Sequence, residues 1–167
     1  MGRAALALVL VASAAHASPP LALQLGLGGG EQWAERSGWL RDDDYLLVRA
    51  ATGLGDFVAL DLELQEDLDR VEATFGAGVR VRPWAGACWR ARWSPYVRAE
   101  LAVAGASHLG SNYDLVAGAG HWGAITSHAR WLHWFAEVDL VTRVGEYTSV
   151  SPRLELGLAV ATASFWR

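Results

Sequence analysis

The sequence predicts an all-β protein, a closed up-and-down antiparallel barrel of eight strands. Two observations carry this expectation. Apolar residues recur at every second position in segment after segment, the period of a strand whose faces meet different surroundings. The chain also combines 52% hydrophobic residues with 9 Trp and 18 Gly, yet shows no segment of helical period and no long apolar run after its start. The apolar content must therefore sit in strands.

The alternation defines the strands in order. Leu21, Leu23, Leu25 and Leu27 share one face, against Ala22, Gln24 and Gly26. Leu46, Val48 and Ala50 oppose Leu47, Arg49 and Ala51. Val58, Leu60, Leu62 and Leu64 oppose Ala59, Asp61, Glu63 and Gln65. Val71 to Val81 alternates with Glu72, Thr74, Gly76, Gly78, Arg80 and Arg82. Val97 to Val103 sets its apolar side against Arg98, Glu100 and Ala102. Tyr113, Leu115, Ala117 and Ala119 oppose Asp114, Val116, Gly118 and Gly120. Trp134, Ala136, Val138 and Leu140 oppose Phe135, Glu137, Asp139 and Val141. Leu154, Leu156, Leu158 and Val160 oppose Arg153, Glu155, Gly157, Ala159 and Ala161. Eight is the smallest strand number usual for an outer-membrane barrel. The breaks read as hairpin connections, the first a long loop over residues 29–44.

The start of the chain reads as a signal peptide over residues 1–17, leaving 18–167 as a single barrel domain. Arg3 supplies the basic region, Ala4 to Ala14 the apolar run, and Ala15-His16-Ala17 the small-x-small cleavage form. Losing Arg3 with that segment moves the formal charge from −4 to −5, which argues against nucleic acid as a partner. Cys88 is the single cysteine, so no internal disulfide forms.

Alternation alone leaves open which face is outside. A soluble lipocalin-like periplasmic binder has the same period in the opposite sense. Here the polar face is built of Gly and Ala interspersed with charges of both signs, which suits a narrow lumen. Arg49, Asp61, Glu63, Glu72, Arg80, Arg82, Arg98, Glu100, Glu137, Asp139, Arg143, Arg153 and Glu155, with Asp114, are expected to form a lumen ion-pair network, since buried charges need partners. Aromatics gather near strand ends. Tyr45, Phe57, Trp84, Tyr96, Tyr113, Trp122, Trp131, Trp134 and Trp166 are therefore expected at the membrane interface, where amphipathic rings are favoured. The barrel is thus read as transmembrane.

The last segment alternates through Leu154, Leu156, Leu158, Val160, Thr162 and Ser164 to a C-terminal aromatic, Trp166, followed by Arg167. Pro95-Tyr96-Val97-Arg98-Ala99-Glu100-Leu101 is an aromatic-start strand. On this pattern the mature chain resembles the small eight-stranded outer-membrane β-barrels, such as the OmpA transmembrane domain, OmpX and OmpW. The resemblance implies an outer-membrane location in a Gram-negative-type cell, outer-membrane lipid as surroundings and the barrel assembly machinery as partner during biogenesis. A monomer is the expected state. Both termini then lie in the periplasm, and residues 29–44, 66–69, 107–112 and 145–151 face outward.

No cofactor, catalytic or metal site is expected. A barrel deacylase of the PagL type carries His-x-Ser-Asn in its penultimate strand. The corresponding strand here has no such Ser, and His108 is one residue too far from Ser111-Asn112. The remaining candidates also have ordinary readings. Gly26 to Gly30 lacks a following helix. Asp42-Asp43-Asp44 lacks alternating ligand spacing. His108, His121, His128 and His133 lack metal spacing. Trp89 to Trp93 reads as an interfacial turn. The leading function is a non-enzymatic barrel with a structural, adhesive or stress-protective role and no wide pore. The alternatives are a lipid-modifying acyl hydrolase and the soluble binder.

The alternation generates a first prediction. Leu60→Arg and Leu156→Arg put a charge on the outer face, at roughly 2–4 kcal/mol near a bilayer midplane. They should abolish membrane assembly, whereas Ala59→Ser and Gly157→Ser, on the lumen face, should assemble like wild type in a membrane-fractionation assay.

Overall fold

The computed structural model describes residues 21–34, 38–41, 44–54, 57–68, 73–83, 94–104, 113–125, 131–145 and 148–162. Its elements are β1 (Leu21–Ala34), β2 (Gly38–Arg41), β3 (Tyr45–Gly53), β4 (Val58–Asp67), β5 (Ala73–Val81), β6 (Ser94–Ala104), β7 (Tyr113–Ala124), β8 (Leu132–Val144) and β9 (Ser149–Ala161). Every neighbouring pair is antiparallel, and β1 also pairs with β9, which closes a barrel of eight strands, β1 and β3 to β9. No helix among the described residues is long and apolar enough to cross a membrane.

The ninth strand corrects the expected loop over residues 29–44. β1 continues past Gly30, and Glu31 to Ala34 pair with β2. The alternation persists there, with Glu31 and Trp33 exposed and Gln32 half-buried, and the start of β9 supplies a partner in Val150 and Ser149. The first hairpin therefore projects beyond the wall on the end away from the described ends of the chain.

The parity of the sequence is the parity of the wall. Leu27, Leu62, Phe75, Val138 and Leu156 are exposed, with Leu62 at 65% and Val138 at 60%. Arg49, Asp61, Arg80, Glu137 and Glu155 on the other face are buried to 1% or less. Between Trp134 and Val144 on β8, at roughly 3.3 Å per residue and a tilt of about 40°, the wall is about 25 Å tall, the height of an outer-membrane apolar band.

Long side chains fit inside because they face glycine across the ladder. Tyr45 pairs with Gly28, Tyr96 with Gly120 and Phe135 with Gly157. Glu63 pairs with Gly76, Arg98 with Gly118 and Glu137 with Gly120. A Cβ at Gly120 would collide with the Tyr96 ring, and one at Gly118 with the Asp139 carboxylate. The same geometry corrects the expected tolerance of Gly157→Ser. A Cβ at Gly157 would strike the Leu25 carbonyl and Gly26 Cα, which are backbone and cannot give way. Only Ala59→Ser remains the mild lumen substitution.

The β1–β9 seam carries one break. Pairing runs from Ala22–Ala161 to Gly30–Arg153 and resumes at Trp33–Val150. The missing rungs centre on Pro152, which has no N–H to donate to β1. Its other edge still pairs with Leu140 of β8. Pro152→Val restores the donor on an outward-facing position. It should raise the temperature at which the folded band converts on a heat-modifiability gel, by an amount worth about 1 kcal/mol. An unchanged or lowered temperature would show that the seam draws no stability from this rung.

Candidate functional site

The lumen is the one place where the fold gathers chemistry, and its contents change along its axis. At the end where β1 begins and β9 finishes, Ala22, Ala51, Ala59, Ala159 and Ala161 pack with Trp122 and Phe135. These small and aromatic side chains close that end. Above them Arg80 lies with its guanidinium carbon 4.5 Å from the Tyr96 ring centroid and 5.3 Å from that of Trp122. Its Nε donates to Asp61 Oδ2 at 3.1 Å and its Nη2 to Gln24 Oε1 at 3.0 Å.

Arg49 of β3 and Arg98 of β6 hold the middle. Arg49 Nε donates to Glu63 Oε2 at 2.5 Å and Nη2 to Glu155 Oε2 at 2.8 Å, and both terminal nitrogens reach Glu137 at 3.4 Å. Arg98 Nη1 donates to Glu63 Oε2 at 2.8 Å and to Glu100 Oε2 at 2.9 Å. Its Nη2 donates to Asp139 Oδ2 at 3.0 Å, and its Nε contacts Glu137. Neutral groups complete the set. Tyr96 donates its hydroxyl to Glu137 Oε2 at 2.5 Å, Tyr45 donates to Glu155 Oε1 at 2.8 Å, and Gln65 Nε2 donates to Glu63 Oε1 at 2.5 Å.

Toward the loop end the density of charge falls. Arg153 lies 5.2 Å from the Tyr45 ring centroid and donates to Gln65 Oε1 at 3.3 Å. Arg143, its side chain 31% exposed, grips Asp114 two-pronged at 2.7 and 2.8 Å. Gln32 Nε2 donates to Ser149 Oγ at 2.7 Å, tying the projecting hairpin to β9.

Of the charges assigned to the lumen from sequence, the structure gathers Arg49, Glu63, Arg98, Glu100, Glu137, Asp139 and Glu155 in one cluster. Arg80 and Asp61 form a neighbouring pair. Arg153 joins the edge of the cluster through Gln65 and Tyr45, Arg143 pairs with Asp114 nearer the mouth, and Arg82 bonds Ser94 Oγ at 3.4 Å. Glu72 lies outside the described residues.

The interfacial aromatics divide. Phe57, Tyr113, Trp131 and Trp134 are outward and exposed. Tyr45, Tyr96 and Trp122 are not interfacial; each is buried to 4% or less and fills the lumen. Each shares the parity of the charges on its own strand, with Arg49, Arg98 and Asp114 respectively, and parity, not nearness to a turn, sets direction. Trp84 and Trp166 lie outside the described residues. Sequence reasoning also missed Gln24, Gln65, Tyr45 and Tyr96 as members of the network, although all four stand on the lumen parity.

Glu137, Asp139 and Glu155 bring carboxylate oxygens within 4.8 Å of one another, a spacing that could hold a cation. Arg98 and Arg49 already stand among them and supply positive charge there.

A closed eight-stranded antiparallel barrel with an apolar exterior and a charged, filled interior is the architecture of the small outer-membrane β-barrels. Two solved structures of that class share the fold. Neisserial surface protein A superposes with a TM-score of 0.58 at 14% identity, covering 84% of this chain and 96% of its own. Ail, the attachment invasion locus protein of Yersinia pestis, superposes with a TM-score of 0.53 at 10% identity, covering 87% of this chain and 99% of its own. No family model and no curated protein matches the sequence.

The two kinds of ion pair should separate in double-mutant cycles read by thermal unfolding of the folded band. Asp61 and Arg80, both fully buried, should couple by roughly 1–3 kcal/mol. Asp114 and Arg143, at the more open end, should couple by less than about 1 kcal/mol. Equal couplings would mean that the middle of the lumen is as wet as its mouth.

Proposed function

We propose that this protein is a non-enzymatic outer-membrane barrel that serves as a rigid anchor for its outward loops, in an adhesive role. The filled lumen carries this reading. Arg49, Arg80, Arg98, Glu137 and Glu155 occupy the axis and are buried to 4% or less, so the interior is committed to holding the wall together. A barrel of this kind offers its surface and its loops, not a channel. The likeness to Ail, an attachment invasion locus protein, supports adhesion among the non-enzymatic roles. Export by the segment over residues 1–17, residence in outer-membrane lipid as a monomer and folding by the barrel assembly machinery belong to the same reading.

The exposed apolar girdle argues against the soluble binder, because a water-facing wall would bear Leu27, Leu62, Phe75 and Val138 at more than half exposure. For an acyl hydrolase the chemistry requires a nucleophile beside a base. Among the described histidines, His121 lies against Trp134 with ring centroids 5.2 Å apart and His133 against Trp122 at 5.6 Å.

Fractionation of cells and a heat-modifiability gel test location and closure together. The protein should sediment with outer membranes and migrate differently before and after boiling. In a planar bilayer the purified barrel should be silent or give small sporadic currents. Recovery in the soluble periplasm, or steady conductance of general-porin size, would overturn the proposal. Adhesion is read by adding cells expressing the barrel, with or without the segment over residues 107–112 shortened, to a host-cell layer. Equal attachment by expressing and non-expressing cells removes the adhesive part and leaves a structural one.

A further inference from the structure

Three planar groups in the lower lumen converge on a single nitrogen. Arg80 Nη2 lies 3.0 Å from Gln24 Oε1 and 3.1 Å from Asp61 Oδ2. The far ends of the same groups, Arg80 Nη1, Gln24 Nε2 and Asp61 Oδ1, are buried with no hydrogen-bond partner among the described residues. The three residues themselves are buried to 1% or less. Rotating the Gln24 amide does not satisfy its nitrogen. Its Oε1 accepts from Arg49 Nη1 at 3.1 Å as well as from Arg80, so a flip would turn an NH2 onto two guanidiniums. The Tyr96 and Trp122 rings lie 4.5 and 5.3 Å from the Arg80 guanidinium carbon. Their faces attract its charge but offer the Nη1 hydrogens no lone pair. Each of the three polar residues also stands opposite an alanine across a ladder. Gln24 faces Ala159, Asp61 faces Ala51 and Arg80 faces Ala59, so there is little side-chain bulk beside the unmet atoms.

We infer that the lower lumen is a binding site for an internal water molecule, held between Arg80, Gln24 and Asp61 as a built-in part of the barrel. Two unmet donors and one unmet acceptor call for a molecule that both accepts and donates. Water accepts from Arg80 Nη1 and Gln24 Nε2 and donates to Asp61 Oδ1, which makes about the three bonds usual for an internal water. An anion would satisfy the two donors but confront the Asp61 carboxylate, and a cation would confront Arg80. The alanine seal with Trp122 and Phe135 lies on one side of the site and the Arg49–Arg98 cluster on the other. A larger polar molecule has no way in, and water held there exchanges slowly with bulk. Gln24 accepts from both Arg80 and Arg49, so the bound water completes the link between the Asp61–Arg80 pair and the central cluster.

The full-length barrel, folded in detergent micelles, tests this with two measurements. Oxygen-17 relaxation dispersion of the solvent detects long-lived internal water and is blind to labile protein hydrogens. Nuclear Overhauser transfer from water to the Gln24 side-chain amide locates that water. Wild type should show both signals, and the transfer should persist in Tyr96→Phe, which removes the Tyr96 hydroxyl as a relay. Asp61→Leu combined with Arg80→Met removes two of the three anchors as a neutral pair, and an apolar site stays dry. In that double variant the dispersion amplitude should fall and the transfer to Gln24 should vanish. A wild-type barrel without transfer to the Gln24 amide overturns the inference, whether or not the double variant folds. So does a transfer lost in Tyr96→Phe, or a double variant that folds with its dispersion amplitude unchanged. Chloride that raises the unfolding midpoint of wild type but not of the double variant, relative to sulfate, would assign the site to an anion and overturn the inference equally.

Discussion

Burial of charge at the barrel axis is the constraint on which the rest of the structure depends. Arg49 projects from β3, yet its partners Glu63, Glu137 and Glu155 come from β4, β8 and β9. Arg98 on β6 draws Glu63, Glu137 and Asp139 from β4 and β8. Arg49 already faces Glu63 across the β3–β4 ladder, but it reaches Glu137 and Glu155 only when the sheet has closed, because β3 is far from β8 and β9 in an open sheet of this order. An open intermediate would leave Glu137 and Glu155 without Arg49, so closure completes the pairing. The network makes closure cooperative instead of leaving it to the β1–β9 seam alone.

The charges in turn dictate the glycines. A lumen of eight strands has little room beyond its own side chains. Each long group therefore lies over a neighbour with no side chain: Arg98 opposite Gly118, Glu137 and Tyr96 opposite Gly120, Phe135 opposite Gly157. What looks from composition like flexibility is space for specific neighbours. The outcome is a filled rod with an apolar outer surface.

The rod is not symmetric along its length. Alanines, Trp122 and Phe135 seal one end, while the other carries Ser149, Ser151, Gln32 and the partly exposed Arg143. The interruption at Pro152 and the projecting β1–β2 hairpin both belong to this second end. Polar contents, a gapped seam and an extended hairpin place the less constrained part of the wall beside the loops. In the proposed function, the anchoring part is the alanine-sealed end and the charged middle.

Period-two alternation was enough to determine all eight barrel strands, the antiparallel meander and the direction of almost every side chain, because a residue's parity on a strand fixes its face whatever the strand pairs with. It also placed the charges in the lumen. Where the reading followed nearness to a turn instead of parity, as for Tyr45, Tyr96 and Trp122, it put rings in the interface that belong inside. The extension of β1 through Glu31 to Ala34 was obscured by the glycine run before it, and needed the partner strands β2 and β9 to become visible. Only the tertiary structure decided which charges meet. Arg49 and Glu137 are 88 residues apart in sequence, and their contact depends on register and closure, which a one-dimensional pattern does not encode.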